Sequence, residues 1–558
     1  MNFNFNNPYT STRLPLFARN VVSTSHPLGA QAGLRMMLKG GNAVDAAIAA
    51  AAAMTIVEPV SNGLGSDAFC ILWDGKELHG LNASGCAPQS WTPEYFKRKY
   101  GADAQTPPKR GLDSVSVPGA VAGWVAMSER FGKLPFADLM EPAIEIAERG
   151  YLMPTVVQQK WAAATDEMKS LPGFAQTFLP WGRAPNVGEL FQFKAAAKAL
   201  RAIADSKGAA YYGGEIAQAI EKFSAQNGGS LTARDFQNYQ PEWVKPIGQD
   251  YRGYTLHEIP PNGQGIAALI ALGILDKFDV AGLPVDGVDS QHLQIETMKL
   301  AFADVYKYVA EPSSMAVSVD QMLDASYLAS RAKLIDMRKA QDFGAGNPVK
   351  GGTIYLSAAD EDGMMVSFIQ SNYMGFGSGC VEPTFGVSLQ NRGHGFSLQA
   401  GANQVAPGKR PFHTIIPAFL SKPKARSHPL PSTGEGRGEG LTVADIEPVM
   451  SYGVMGGNMQ PQGHLQTLVR MLDYGQNPQA ACDAPRWRYN EGLEINVEAA
   501  MNQQTVQGLA ERGHRMEVIN DSYQDFGAGQ FIWRAGDPKV EGYVAASDAR
   551  RDGQAVGF

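Results

Sequence analysis

Two glycines, a threonine and a pair of strand-like runs about an acidic turn constrain this chain more than any other stretch. Gly351-Gly352-Thr353-Ile354-Tyr355-Leu356-Ser357-Ala358-Ala359 leads into Asp360-Glu361-Asp362-Gly363, and Met364 to Ser371 follows. The pattern is that of a β-hairpin with a threonine at the start of its first strand. Threonine is common in strands, so an ordinary hairpin accounts for it. The alternative is that the chain cuts its own Gly352–Thr353 bond. Thr353 would then carry a hydroxyl nucleophile and, on the same residue, a free α-amine to act as its base. Gly351 and Gly352 would permit the strained backbone that an N-to-O acyl shift needs.

The remaining sequence narrows the class. The 558 residues are 44% hydrophobic and 18% charged, enough for a large core, with length alone allowing three or four domains. The net charge of -7 and the lack of a dense basic stretch exclude a nucleic-acid partner. Cys70, Cys86, Cys380 and Cys482 lie far apart without metal-ligand spacing, and buried free thiols are expected for all four. Nine histidines include no HxxxH or HxH pair, and no Walker, dinucleotide or GxSxG signature is present. No cofactor or metal is expected. The N-terminus lacks a signal-peptide pattern, and the alanine-rich run Ala43 to Val57 is too short to span a bilayer. A soluble, cytoplasmic protein is expected, with no membrane partner.

Residues 17–24 read as a first strand, Ser25 to Leu28 as a turn, and Ala30 to Lys39 as a helix stopped by Gly40-Gly41. Asn42 is placed to cap a helix from Ala43 to Val57. Asp74-Gly75 turns between strands Ala68–Trp73 and Glu77–Asn82. Asn62-Gly63-Leu64-Gly65 leads into a strand and lacks a Gly-Lys-Ser/Thr ending, so it is not a phosphate loop. Ser114 to Ala120 is expected to end a strand and open a helix through Trp124, and a helical insertion covers about 120–250. Thr232 caps a helix within Leu231 to Tyr239. Tyr254 to Ile259 is a strand, Ile266 to Leu275 a helix, and His292 to Val309 an amphipathic helix. Beyond the Thr353 hairpin, strands are expected near Phe385 to Leu389, ending at Leu420, and over Pro448 to Gly453, with a helix from Pro461 to Leu472. Residues 421–447 are low-complexity and read as a disordered surface insertion. Hairpins and adjacent strands imply a mostly antiparallel sheet covered by helices, an α+β or layered αββα fold.

Several residues could do chemistry. Gly456-Gly457, at a strand end, could offer two converging N–H groups to an oxyanion, or be a plain turn. Ser371 could return on the neighbouring strand to meet Thr353. Arg392, His413, Arg410 and Arg252 are candidate anion binders, the planar arginine fork suiting a carboxylate.

Taken together these residues resemble the γ-glutamyltranspeptidase family along nearly the whole chain. The motifs are Gly40-Gly41-Asn42-Ala43-Val44-Asp45-Ala46-Ala47, Pro59-Val60-Ser61-Asn62-Gly63-Leu64-Gly65-Ser66, and Ser116-Val117-Pro118-Gly119 with Gly123-Trp124. They continue through Pro260-Pro261-Asn262-Gly263-Gln264-Gly265, Thr353-Ile354-Tyr355-Leu356-Ser357, Gly375-Phe376-Gly377-Ser378-Gly379, Lys409-Arg410-Pro411 and Met455-Gly456-Gly457. The resemblance implies an N-terminal-nucleophile hydrolase, a four-layer αββα sandwich made as a proenzyme and cut between Gly352 and Thr353. The products would be a large chain, 1–352, and a small chain, 353–558. They would stay associated, with pairing of such heterodimers left open. It implies Thr353 as nucleophile, Ser371 as its supporting hydroxyl and Gly456 and Gly457 as the oxyanion hole, acting on a small-molecule amide with water or an amine as acceptor.

The chain also departs from the family pattern. Ser84 stands where typical members have the arginine for the glutamyl carboxylate, and Gly395 where they have the aspartate for its α-amine. Arg392 takes a glutamine position, His413-Thr414 the place of a Ser-Ser pair, and Tyr373 that of an asparagine. Arg392, Tyr373, His413 and Thr414 are therefore the expected substrate-binding residues. The pattern is similar to a branch holding acylases and oxamate amidohydrolases, which suggests an oxamate-like or glutaryl-like amide. The competing readings are a true γ-glutamyl transferase or glutathione hydrolase, and an inactive, uncleaved homologue acting as a binding protein.

Overall fold

The computed structural model describes residues 13–344, 352–424, 446–520 and 526–558. Two seven-stranded sheets, antiparallel throughout, stack face to face. The nucleophile sheet runs in the order Gln554–Gly557, Val21–Thr24, Gly352–Ala359, Met365–Tyr373, Asp67–Trp73, Leu78–Ala83, Glu242–Val244. The opposing sheet runs Leu16–Ala18, Tyr543–Ser547, Ala528–Arg534, Ile446–Met455, Ala418–Pro423, Tyr254–Glu258, Ile247–Tyr251.

Strand periodicity explains the layering, because successive side chains point to opposite faces. Ile354, Leu356 and Ala358 enter a core shared with helices. Tyr355 and Ala359 instead pack between the sheets with Ile369, Phe419, Met455 and Ile532. A third core lies beyond the opposing sheet, where Leu420, Tyr452 and Val454 meet helices Ile266–Leu275, Val288–Tyr308 and Met459–Leu472. The result is the expected α+β, four-layer αββα sandwich.

The alanine-rich helix spans Ala43–Val57 and is buried along its length. Asn42 Oδ1 accepts the Asp45 N–H and the Asp45 carboxylate accepts the Asn42 N–H, both at 3.0 Å, closing a capping box. Small side chains let helix Pro27–Leu38 approach closely: a Cβ built on Gly33 would lie 2.7 Å from the Ala46 carbonyl oxygen.

Several expectations are corrected. The single strand over 17–24 is two strands, Leu16–Ala18 and Val21–Thr24, in different sheets. The turn before the first helix belongs to it, His26 Nδ1 accepting the Leu28 N–H at 3.2 Å at the N-cap. Residues 114–119 join no sheet; a 3-10 turn over Leu112–Ser114 precedes helix Ala120–Phe131. The helical run ends at Gln237, after which Glu242–Val244 and Ile247–Tyr251 are edge strands. The strand near 385–389 is reduced to Val387–Ser388, paired with Val381–Glu382. Helix Val288–Tyr308 is buried on its polar as well as its apolar positions, because helix Gln503–Glu511 and strand Trp487–Tyr489 pack against it. Its polar groups pair internally, Lys299 with Glu296 at 2.7 Å and His292 with His514 at 2.8 Å. Cys70, Cys380 and Cys482 are buried free thiols, whereas Cys86 is only half-buried. The ends of the 421–447 segment are strand, Ala418–Pro423 paired with Ile446–Met455, while 425–445 lies outside the described residues. Among the described residues no helix is long and apolar enough to cross a membrane.

Candidate active site

The hairpin places Thr353 at one end of the sandwich. Its strands pair from Ala359 with Met365 up to Gly352 with Tyr373, with an irregularity in register between Gly352 and Ile354. Thr353 is 4% exposed, and its Oγ1 lies 3.2 Å from Ser371 Oγ. Ser371 Oγ also accepts the Tyr373 N–H at 2.8 Å, which fixes the supporting hydroxyl from its own strand.

Contacts across the sandwich bring the glycine pair towards the same end. Ser357 Oγ meets Ser451 Oγ at 2.9 Å, and the Tyr355 ring packs on Gly453. From the first pair to the second, one strand steps back two residues and the other forward two. The trend carries the Met455 end of that strand, immediately before Gly456, towards the end of the sandwich that holds Thr353. Gly456 and Gly457 have φ of +127° and +61°, the left-handed region that glycine enters without a Cβ penalty. Their carbonyls are turned into the following helix, accepting the Met459 N–H at 3.1 Å and the Gln460 N–H at 3.2 Å. Neither glycine N–H has an acceptor among the described residues. Two unengaged backbone donors on adjacent glycines are what a tetrahedral oxyanion requires.

A cavity of about 420 Å³ reaches Asn458, next to Gly457, and Tyr373, paired with Gly352; it is also lined by Gly395, Phe396, Phe412 and Thr414, while Thr353, Gly456 and Gly457 are not part of its lining. Tyr373 and Thr414, two of the expected substrate-binding residues, line this cavity. Arg392 does not reach this lining. It is fully buried behind both, its Nη1 donating to Thr414 Oγ1 at 2.9 Å and its Cζ 3.9 Å from the Tyr373 ring centre. Its Nε and Nη2 have no partner among the described residues. Burial pulls the guanidinium down to about 10, so it stays charged at neutral pH.

His413 also lies behind the cavity. Its Nε2 is 3.1 Å from Asp67 Oδ2, and its Nδ1 accepts the Ile415 N–H at 3.4 Å. That acceptor role puts the ring proton on Nε2, donating to the carboxylate. Burial and the Arg392 charge hold His413 well below the usual histidine range. The Asp67 carboxyl is pushed up to about 7 by burial, opposed by Arg392 and the Gly119 and Gly85 N–H groups. Ser84 is closed into a buried network, its N–H and hydroxyl both donating to Asn82 Oδ1. The other two candidate anion binders are engaged in ion pairs. Arg410 binds Glu242 at 3.0 Å, and Arg252 binds Asp473 at 2.9 Å.

Among the described residues two groups of side chains have metal-like spacing, His292/Glu296/His514 and Asp74/Glu77/His79. In the first, the Lys299 ammonium lies 2.7 Å from Glu296 and 3.4 Å from His514 Nδ1 and already supplies the positive charge. In the second, Asp74 Oδ2 is taken by His79 Nε2 at 3.0 Å at the protein surface.

Two residues not singled out from sequence also shape the site. Asp67 is a carboxylate that opens an otherwise apolar strand, Asp67–Trp73, and pairs in register with Ser371. Gln264 lies inside a glycine-rich turn and donates to both Thr414 O and Gly457 O.

A family model described as gamma-glutamyltranspeptidase matches residues 29–436 and 440–558. Among solved structures, a cephalosporin acylase from Bacillus halodurans is 46% identical with a TM-score of 0.90, covering 100% of this chain and 99% of that one. The glutathione hydrolase-like YwrD proenzyme of Bacillus subtilis (strain 168) is 34% identical over 97% of this chain and 98% of its own. The oxamate amidohydrolase proenzyme of Klebsiella pneumoniae subsp. pneumoniae is 33% identical, over 96% and 97% respectively.

Proposed function

Because the chain belongs to the γ-glutamyltranspeptidase family of enzymes, we propose that it is a self-cleaving amidohydrolase whose nucleophile is Thr353 and whose substrates are amides of small dicarboxylic acids. In maturation, Thr353 Oγ1 attacks the Gly352 carbonyl carbon, the C–N bond breaks, and the hydroxyl proton ends on the freed amine. Water then hydrolyses the ester, leaving a Gly352 carboxylate and an N-terminal threonine. In turnover the α-amine takes the Thr353 hydroxyl proton as the oxygen attacks the substrate amide. Gly456 and Gly457 N–H groups hold the oxyanion, an effect that typically accounts for about 100- to 1,000-fold in rate per donor. The leaving amine departs with the proton, and water or an acceptor amine resolves the acyl ester. Ser371 keeps the nucleophile in line through the 3.2 Å contact.

The observation that carries the substrate reading is the cavity wall. The Thr414 hydroxyl accepts from buried Arg392, so its own proton is available for an acceptor in the cavity, such as a carboxylate. No aspartate or glutamate is among the lining residues that could hold an α-amine. An acyl group with a terminal carboxylate and no amine fits this wall, as in glutaryl amides and oxamate. About 420 Å³ edged by Tyr306, Phe396 and Phe412 leaves room for a leaving group much larger than ammonia, which favours the glutaryl type.

Oxamate, glutaryl-p-nitroanilide and γ-glutamyl-p-nitroanilide offered side by side test the substrate. Turnover of the last alone would refute the assignment. On a denaturing gel the protein is expected as two bands and Thr353→Ala as one; two bands from Thr353→Ala would overturn the maturation scheme.

A further inference from the structure

The oxyanion loop is held from outside. Gln264 is fully buried between it and the Thr414 wall. Its side-chain Nε2 donates to Thr414 O at 2.6 Å and to Gly457 O at 3.0 Å. Both partners are carbonyl oxygens, so only the NH2 end of the amide can face them, and both of its protons are used. Gly457 O also takes the Gln460 N–H, which fills its second lone pair. The backbone of the same turn is stitched to the wall: Gln264 N–H donates to His413 O at 2.9 Å, and His413 N–H to Asn262 O at 3.0 Å.

Gly456 and Gly457 have no side chains to pack, and their φ values are ones that glycine adopts and leaves freely. The direction of their N–H groups therefore depends on what grips the loop: the Met459 N–H holds Gly456 O, in the peptide unit of the Gly457 N–H, and Gln264 holds Gly457 O, in the unit that follows and closes the loop. We infer that Gln264 is the positioning residue of the oxyanion hole, aiming the Gly456 and Gly457 N–H groups and tying the loop to the substrate wall. It touches neither substrate nor reacting atoms. The inference rests on the acyl-enzyme reading above. An oxyanion exists only at the transition state, so losing the clamp slows acylation and leaves ground-state binding nearly unchanged.

The test uses p-nitrophenyl acetate, an acylating reagent that needs no carboxylate recognition. Acetyl transfer forms an ester on Thr353 as the aryl ester bond breaks and p-nitrophenolate leaves. The acetyl adduct on the small chain is followed by mass spectrometry for the wild type, Gln264→Leu and Gln264→Glu. Both variants are expected to acylate at least about tenfold more slowly at pH 8. Gln264→Glu adds a signature that simple loosening lacks. Ionised, it turns an anion towards two carbonyl oxygens; protonated, it donates one hydrogen bond again. Its rate relative to wild type should rise several-fold between pH 8 and pH 5.5. Hydrogen exchange at Met459 and Gln460, whose N–H groups bond the Gly456 and Gly457 carbonyls, is readable whether or not a variant has cut itself. It should quicken in Gln264→Leu, with exchange in helix Ala43–Val57 unchanged. Equal acylation in wild type and variants, a flat rate ratio, or faster exchange in both segments would overturn the inference alone. Absence of an adduct on wild-type Thr353 would overturn the nucleophile reading and this inference with it.

Discussion

At the scale of the residue, the proposed site separates groups that would react from groups that would act through others. Thr414 meets the cavity, and Arg392 stands behind it with one N–H on its hydroxyl. A hydrogen bond to a charged group contributes about 1.5–3 kcal/mol. Thr414→Val, which keeps the shape and removes the relay, is expected to raise KM for glutaryl-p-nitroanilide about 10- to 100-fold, with kcat changing less. Thr414→Ser should restore it, and steady-state kinetics of the two variants check the pair. The same division decided what was legible in the sequence. Thr353, Ser371 and the Gly456-Gly457 pair are weak signals by residue type and strand position, and their proposed roles come from the family pattern. Thr414 and Tyr373 were placed by their positions in the family pattern. Gln264 and Asp67 work through partners far away in the chain, and a glutamine in a turn or an aspartate opening a strand gives no local sign of that. Arg392 was legible as a cation but not as one screened by Tyr373, because its depth depends on how three segments pack.

At the scale of the element, legibility followed locality. Asn42 and Asp45 are three residues apart, and the capping box they form fixes the start of helix Ala43–Val57 as expected. The split of residues 16–24 between two sheets depends instead on remote partners, Tyr543–Ser547 on one side and Gly352–Ala359 on the other. Likewise, the polar side of helix Val288–Tyr308 reads as solvent-facing until elements near the C-terminus cover it. The close pairing of helices Pro27–Leu38 and Ala43–Val57 has a point of least tolerance at Gly33. A Cβ there would meet the Ala46 carbonyl at 2.7 Å, and both Val22 methyl groups at 3.1 Å, so the helices must separate. Overpacking of a tight interior typically costs about 1–3 kcal/mol. Gly33→Ala is expected to lower stability by that order, measured by thermal or urea unfolding; unfolding coincident with wild type would show that the helix pair can yield.

At the scale of the whole molecule, the sandwich keeps several histidines neutral inside its layers. Burial lowers His26 and His464 to about 3, and lowers His514, with help from nearby Lys299, to about 2. Each would titrate near 6.5 in the unfolded chain. Between those values the unfolded state binds more protons than the folded one, so stability is present in full above about pH 6.5 and falls as pH drops below it. Carboxyls raised by burial act in the opposite sense. Asp67, at about 7, is protonated more readily in the fold than in the open chain, and its contribution is lost as pH rises through 7. Asp67 faces His413 and Glu258 faces His464, so those pairs partly offset each other. His26 has no acidic partner in hydrogen-bond reach: Nδ1 caps a helix, Nε2 has no partner among the described residues, and the Tyr151 ring stands edge-on at 6.0 Å. It therefore isolates the effect. One buried neutral histidine loses about 1.4 kcal/mol per pH unit below 6.5. Asparagine can accept the same N-cap bond without titrating. The urea-unfolding free energy of His26→Asn is thus expected to fall less steeply than that of wild type between pH 6.5 and 5, by about that amount per unit. Parallel pH profiles would mean that His26 is protonated in the folded protein at no cost.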